Sequence, residues 1–368
     1  MTGIYVHVPF CARKCPYCDF YSAVPDKNIL EDYTQALVRN IREYTSKGIK
    51  ADTLYFGGGT PSLLRPAQLD SIIRAAKDTF VLENAEITLE TNPCTVTSEK
   101  LEAYLDSGIN RLSLGVQSAV ESELETLGRL HSFETAKKAV ENAKKAGFEN
   151  ISCDIMLGTP VQTLSTLETS INSLLSLDIQ HISAYMLKIE QGTAFDCDKI
   201  RNSCADDELS AQMYLKTVEM LVNAGFEQYE ISNFARNGKR SRHNMKYWKG
   251  ESYLGFGPSA HSFFDNVRYF CPGDTKAFIT QKTQPRIVQE ENPDKLEEYI
   301  MLALRLSDGI GFEKLTALGG NVNAVVQAAR TFEKAGLCSI SQDKLHLTPQ
   351  GFLVSNGIIS QLIDSAES

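Results

Sequence analysis

Apolar residues, many of them β-branched, gather into short runs at Ile4–Val8, Thr53–Phe56, Glu86–Glu90, Leu112–Val116, Ile151–Leu157 and His181–Leu187. Runs of this length and composition predict strands. Between them the apolar positions recur at helical spacing: Leu30, Tyr33, Leu37, Ile41 and Tyr44 share one face, and Ala136, Ala139, Val140 and Ala143 share another. Six strands alternating with helices imply a parallel sheet with helices packed on it. Three segments echo one another, Ser107-Gly108-Ile109-Asn110, Ala146-Gly147-Phe148-Glu149-Asn150 and Ala224-Gly225-Phe226-Glu227-Gln228, each closing a helical run and opening a strand. Glycine adopts the left-handed conformation that ends a helix, so all three read as C-caps. Their intervals, 39 residues (147 − 108) and 78 (225 − 147), correspond to one βα unit and then two.

After Asn237 the sequence turns Gly- and aromatic-rich, with few helical periods and a Pro-containing stretch at Thr283–Pro293. A domain boundary is expected between Phe234 and Arg242, dividing the chain into residues 1–235, an α/β core, and 236–368, a smaller C-terminal domain. In the tail, Leu296–Ile363, helices precede two short strands, Cys338–Ile340 and Leu345–Leu347, around the turn-like Ser341-Gln342-Asp343-Lys344. That order suggests a winged-helix-like module, which could bind DNA or dock a partner. Charge decides between these: 37 Lys and Arg against 46 Asp and Glu leave a net charge of −9, which argues against a nucleic-acid surface. With 42% apolar and 23% charged residues the chain is ordinary globular material, not a disordered one. No run reaches the ~18 apolar residues of a membrane span and Met1 to Val8 lacks a signal-peptide pattern, so a cytoplasmic location is expected.

Nine cysteines are present, three of them in Cys11-Ala12-Arg13-Lys14-Cys15-Pro16-Tyr17-Cys18, a C-x3-C-x2-C spacing just after the first strand. In a reducing compartment such clustering points to a metal site. Soft thiolates select zinc, Cu(I) or iron–sulfur clusters. A structural zinc site wants four ligands, and the nearest additional donors, His7 and Asp19, give no usual zinc spacing. Three ligands on a four-iron cluster leave one iron open to a substrate or cofactor. Gly57-Gly58-Gly59-Thr60-Pro61 follows the second strand, where glycines allow close backbone approach to a ligand. Glu90, Gln117 and Asp154 fall near the carboxyl ends of the third, fourth and fifth strands, the face on which parallel α/β barrels bind ligands. Charges placed there need partners. Arg129, in Leu127-Gly128-Arg129-Leu130-His131, is a candidate; the other cysteines are scattered without metal spacing.

The cysteine spacing, the aromatic Tyr17 before the third cysteine and the Gly-Gly-Thr-Pro loop together resemble the radical S-adenosylmethionine superfamily. The resemblance implies a partial (β/α)6 barrel whose Cys11, Cys15 and Cys18 hold a 4Fe-4S cluster. In that superfamily the open iron is chelated by the amino and carboxylate groups of S-adenosylmethionine, which the reduced cluster cleaves to a 5′-deoxyadenosyl radical. By the same resemblance, Gly58, Gly59 and Thr60 contact the methionine amino group, and Arg129 and Glu90 anchor the methionine end. Gln117 and Asp154 would meet the ribose hydroxyls, Ala184 would border the adenine and Tyr5 the cluster region. These roles suit the side chains, since carboxylate and carboxamide oxygens accept from hydroxyls and guanidinium grips a carboxylate.

Two further segments, Tyr5-Val6-His7-Val8-Pro9-Phe10-Cys11 and His243-Asn244-Met245-Lys246-Tyr247-Trp248, resemble the branch that contains oxygen-independent coproporphyrinogen III dehydrogenase and heme chaperones of the HemW type. In the dehydrogenase the motif continues as C-x3-C-x2-C-x-C, whereas Phe20 stands here at that position. The resemblance therefore implies a protein that binds heme and delivers it to an acceptor protein, which the acidic chain permits to be membrane-associated. His243 is a candidate axial ligand, with Tyr247 and Trp248 packed on a porphyrin face. The same motif also fits a hydrogen-bonded histidine and core aromatics joining two domains. A coproporphyrinogen-decarboxylating enzyme and a structural zinc protein are the competing expectations.

Overall fold

The computed structural model describes residues 1–26 and 28–367. Six parallel strands follow one another in space as in sequence: β1 (Thr2–Val8), β2 (Lys50–Gly58), β3 (Val81–Thr91), β4 (Arg111–Gln117), β5 (Ile151–Leu157) and β6 (His181–Met186). The crossovers include the helices Ile29–Arg42, Pro66–Thr79, Ser98–Ser107, Phe133–Ala146 and Leu164–Leu175. The first of these buries Tyr33, Leu37 and Ile41 and the fourth Ala136, Ala139, Val140 and Ala143, the faces expected from spacing. Gly108 and Gly147 cap their helices at φ of 99° and 112°, where a side chain would be strained.

The sheet does not close, because other strands occupy both edges of this set of six. Beyond β6 lie β7 (Glu227–Gln228) and β8 (Asn233–Ala235), with β8 antiparallel to β6. Outside β1, β9 (Tyr253–Phe256) pairs parallel with it and is followed by the antiparallel β10 (His261–Phe264), β11 (Val267–Phe270) and β12 (Ile287–Glu291). The result is one 12-stranded sheet. The boundary expected between Phe234 and Arg242 thus falls inside a continuous sheet. The segment after Asn237 disguises its strands because they are short and carry glycine; a Cβ on Gly255 would lie 2.2 Å from the His261 carbonyl oxygen. After β12 comes the smaller module, a three-stranded sheet of β13 (Ile310–Gly311), β14 (Cys338–Ile340) and β15 (Lys344–Leu347), with helices at Lys295–Ala303, Val322–Lys334 and Ser355–Ala366.

Successive residues of a strand face opposite ways. On β1 to β6 one set is apolar and sealed under the helices: Ile4, Val6 and Val8, Leu54 and Phe56, Leu112 and Leu114, Ile155 and Leu157. The other set is polar: Tyr5 and His7, Thr53 and Tyr55, Glu86, Thr88 and Glu90, Arg111 and Ser113, Ser152 and Asp154, His181 and Ser183. The strands therefore enclose a polar lumen. Its floor, at the amino ends of the strands, is plugged by the helix Arg242–Trp248, whose Ser241 cap accepts from the Asn244 amide. His243 stacks on Tyr55 with ring centroids 5.1 Å apart, and the buried Lys246 reaches Asp52 at 2.7 Å and Glu251 at 2.9 Å.

Candidate functional site at the carboxyl ends of the parallel strands

The cysteine loop leaves β1 at Pro9 and its neck is closed by two backbone bonds, Cys11 N–H to the Ala23 carbonyl and Ala23 N–H to the Pro9 carbonyl, each 3.0 Å. Inside the loop the Cys18 amide donates to the Cys15 carbonyl at 3.1 Å. All three thiols are unpaired and half-buried, and burial raises that of Cys18. Among the described residues no three Cys, His, Asp or Glu side chains are grouped so as to hold one metal ion. His7 in particular is committed, Nε2 to the Tyr21 carbonyl at 3.0 Å and Nδ1 to the Tyr5 hydroxyl at 3.1 Å. It therefore has no free nitrogen for a zinc ion. A cluster in which each thiolate takes its own iron needs no convergence on one atom and suits this donor set.

Two neighbours reach the thiols. Thr60 Oγ1 donates to Cys11 Sγ at 3.6 Å and Arg129 Nη1 to Cys15 Sγ at 3.5 Å. Arg129 Nη2 also donates to the Gly115 carbonyl at 2.8 Å, while its Nε is buried without a hydrogen-bond partner among the described residues. Such an orphaned donor beside three thiols fits a ligand carboxylate.

Between them, the glycine run lies flat against the end of β1, with Gly59 N–H donating to the Val8 carbonyl at 2.8 Å and Thr60 N–H to that of Phe10 at 2.7 Å. A Cβ on Gly59 would stand 2.6 Å from the Phe10 carbonyl oxygen, and one on Gly58 2.6 Å from the His7 ring. No side chain fits there, so the backbone itself lines the cradle.

Below the cradle, Tyr55 donates its hydroxyl to Glu90 Oε1 at 2.7 Å. Burial pushes the Glu90 carboxyl up to about 7; the charge of Asp154 adds to this, against the Tyr55 hydroxyl, the Gly58 amide and Arg111. Burial also raises Asp154, which accepts from Ser113 Oγ at 3.2 Å. Gln117 sits at a bulge in β4, where the register with β5 shifts between Gly115 and Gln117, and its φ is +71°. That left-handed turn brings the carboxamide over the lumen face of Gly115, whose Cβ would lie 2.9 Å from Gln117 Nε2. Glu90, Gln117, Arg129 and Asp154 thus gather at one end of the lumen with the cysteines.

Three placements refine what the sequence suggested. Ala184 pairs in register with Ile155 and its methyl is buried among the helix-facing apolar residues, so a contact with a ligand in the lumen would run through its backbone. Tyr5 is linked to the cysteine loop through His7, its ring stacked on Tyr55 at 6.1 Å. His243 lies in the floor, 1% exposed, with Nδ1 bonded to Thr53 Oγ1 and Nε2 to the Tyr247 hydroxyl, both at 2.8 Å. Burial lowers its pKa to about 3, and neither nitrogen is free for a heme iron. Tyr247 packs edge-on against Tyr253, and Trp248 against Tyr229, Met245 and Leu306, joining the barrel to the C-terminal module. This is the core-aromatic alternative.

Sequence reasoning weighed His7 only as a metal donor and passed over Tyr55 and Arg111. The signal was present, because polar residues at every second position of a strand mark a wet face, and Tyr5/His7, Thr53/Tyr55 and Arg111/Ser113 all show it.

Comparison with known proteins agrees with this geometry. The model of the radical SAM superfamily matches residues 5–174, and that of the HemN C-terminal domain matches residues 291–354. A heme chaperone HemW of Bacillus subtilis (strain 168) is 35% identical over 378 residues, covering 99% of this chain and 99% of its own. The chain belongs to the HemW family of radical SAM proteins. A mitochondrial family relative from Danio rerio, radical S-adenosyl methionine domain-containing protein 1, is 34% identical over 84% of this chain and 74% of its own. Among solved structures, coproporphyrinogen III oxidase (HemN) from Escherichia coli superimposes with a TM-score of 0.84 at 19% identity, covering 98% of this chain and 89% of that one. That likeness extends the shared HemW and HemN fold through the C-terminal module.

Proposed function

We propose that this protein is a heme chaperone, which binds heme and passes it to an acceptor protein while carrying a 4Fe-4S cluster on Cys11, Cys15 and Cys18 and S-adenosylmethionine in the lumen. The observation that carries the reading is full-length kinship with HemW proteins combined with Phe20, 65% exposed on the cysteine loop where the dehydrogenase-type motif has a further cysteine. When bound, the cluster supplies an open iron that chelates the amino and carboxylate groups of S-adenosylmethionine.

This chain's residues do the rest. Arg129 turns its unpartnered Nε to the carboxylate, the glycine cradle admits the methionine backbone, and Glu90 accepts an N–H from its amino group. Gln117 and Asp154 accept from the ribose hydroxyls. With His243 committed to the floor, the surface for heme is better sought at the mouth. There the loops and strand ends expose Phe20, Leu130, Val161, Tyr185 and Met186. A flat apolar macrocycle suits such a rim. No helix among the described residues is long and apolar enough to cross a membrane; the protein would reach its acceptor by docking.

The test is anaerobic incubation of reconstituted protein with coproporphyrinogen III, S-adenosylmethionine and a reductant, alongside a heme titration. Saturable heme binding with tetrapyrrole of unchanged mass is expected. A product lighter by two carboxyl groups would make the protein a dehydrogenase, and a colourless preparation containing zinc in place of iron would remove the cluster.

A further inference from the structure

Beneath Glu90 the lumen holds a positive charge that the proposed function does not use. Arg111 opens β4, lies in register with Thr88 of β3, and points inward as Ser113 does two residues later. It is 1% exposed, and its Nε and Nη1 have no hydrogen-bond partner among the described residues. A buried guanidinium that is not fully paired is costly, and an apolar side chain of similar length would be cheaper for stability alone. Around it stand Glu86, Tyr55, Tyr229 and Asp154, and its charge also acts on Glu90. Glu90 and Asp154 are like charges facing one another across the same lumen. Two carboxylates in a low-dielectric space cannot both stay ionised without a cation nearby.

We propose that Arg111 is a positioning residue of the S-adenosylmethionine site, the counter-charge that lets Glu90 and Asp154 stand together as carboxylates and so sets the affinity for the ligand. The proposal rests on the S-adenosylmethionine reading given above. β4 then serves the site twice, since Ser113 directs Asp154 by hydrogen bond while Arg111 balances its charge from below.

The tyrosines, the second arginine and the histidines facing these carboxylates do not titrate in the same range. Tyr5 of β1, Tyr55 of β2 and Tyr247 of the floor helix are all pushed up by burial, and Tyr185 of β6, at the open rim, is raised as well. Arg129, above Asp154, stays charged. His181 and His243, which also feel Arg111, are pushed down and remain neutral. Glu230, which burial likewise brings to about 7, faces Tyr185 and is common to every variant below. Burial also raises Glu86 and Asp154; of these carboxyls Glu90, pushed to about 7, is the one that the site reading puts against the ligand's amino group.

The experiment is equilibrium binding of S-adenosylmethionine to the reconstituted holoprotein between pH 6 and 9, for the native chain, R111Q and R111K. Affinity of the native chain should rise through pH 7 and level off. Arg111 is one of the influences that hold the Glu90 carboxyl down, so in R111Q the midpoint should climb, by up to about one unit, the low end for the loss of a neighbouring opposite charge. Binding should then weaken by up to about five-fold at pH 7 and converge on the native value toward pH 9. R111K should restore the midpoint. Should R111Q fail to retain iron, R111M, which preserves the apolar stem, carries the same expectation. An unmoved midpoint, or a loss equal at every pH, would overturn the role of Arg111 while leaving the site reading intact. Absence of binding by the native chain at any pH would remove the site reading and this proposal with it.

Discussion

Glu90 gives the site an energetic signature that needs no ligand. In the unfolded chain its carboxyl titrates near the ordinary 4.5, and in the fold near 7, with burial the largest cause. A pKa raised by folding means that the native state binds the proton more tightly. The associated stability is complete below about 4.5 and disappears as pH climbs through 7. Over that window the cluster-free protein should lose about 1.4 kcal/mol per pH unit from this residue, about 3 kcal/mol in all. Glu90→Gln keeps an acceptor for the Tyr55 hydroxyl but cannot ionise. Urea unfolding of both cluster-free proteins at pH 5, 6, 7 and 8 should therefore show the native chain falling relative to the variant, with the difference flattening above pH 7. Relief of Asp154 in the variant acts in the same direction. Parallel stability profiles across this range would refute the reasoning, since they would mean that Glu90 is solvated like a surface carboxylate.

Gly59→Ala should destabilise by about 1–3 kcal/mol and lower iron retention, because its methyl would press on backbone atoms of Val8 and Phe10 at the root of the cysteine loop. Gly48→Ala is the control: at φ +60° with nothing within 4 Å of a Cβ, it should cost about 1 kcal/mol in urea unfolding and leave iron content unchanged. Cys15→Ala should abolish the broad absorbance near 400 nm expected of thiolate-bound iron–sulfur clusters, and full iron content by elemental analysis would disprove the ligand assignment. His243→Ala should lower stability by about 2–4 kcal/mol, through the lost stacking on Tyr55 and the unpaired Thr53 and Tyr247 hydroxyls, yet leave heme stoichiometry unchanged in a titration.

The strands carrying the site were legible because their apolar halves are continuous; Ile151–Leu157 was bounded correctly from composition alone. Their polar halves were read less well. Glu90 and Asp154 drew notice as charges at strand ends, but Arg111, farther down the same lumen, falls one residue before the apolar run Leu112–Val116. Sequence separation hides such partners, since the 190 residues between Thr53 and His243 conceal the bond that makes His243 part of the floor. The H-N-x-x-Y-W motif could be singled out from sequence, but its two tasks, heme ligand and core joint, stayed open there. Its chemistry suits an iron ligand and a buried plug equally, and only the placement of both ring nitrogens distinguishes them. For Ala184, one step of alternation puts its methyl on the opposite face from Asp154 and Ser183, which leaves its backbone as the part that could border a ligand.

The outer pairing of β1 has a consequence for the order in which the molecule is made. β1 gains its first neighbour when Lys50–Gly58 has emerged, but its other edge waits for Tyr253–Phe256, 195 residues later (253 − 58). At about 5–20 residues per second a ribosome takes roughly 10–40 s to supply that second neighbour. For this interval the strand that roots the cysteine loop has one open hydrogen-bonding edge, and neither the floor helix nor β9 is there to fix it. Iron that arrives early would meet three thiols on a mobile hairpin of nascent chain. Maturation of the metal site is thereby deferred to the last third of synthesis, and a truncated product ending before Tyr253 would display the cysteine motif without the means to hold it rigid.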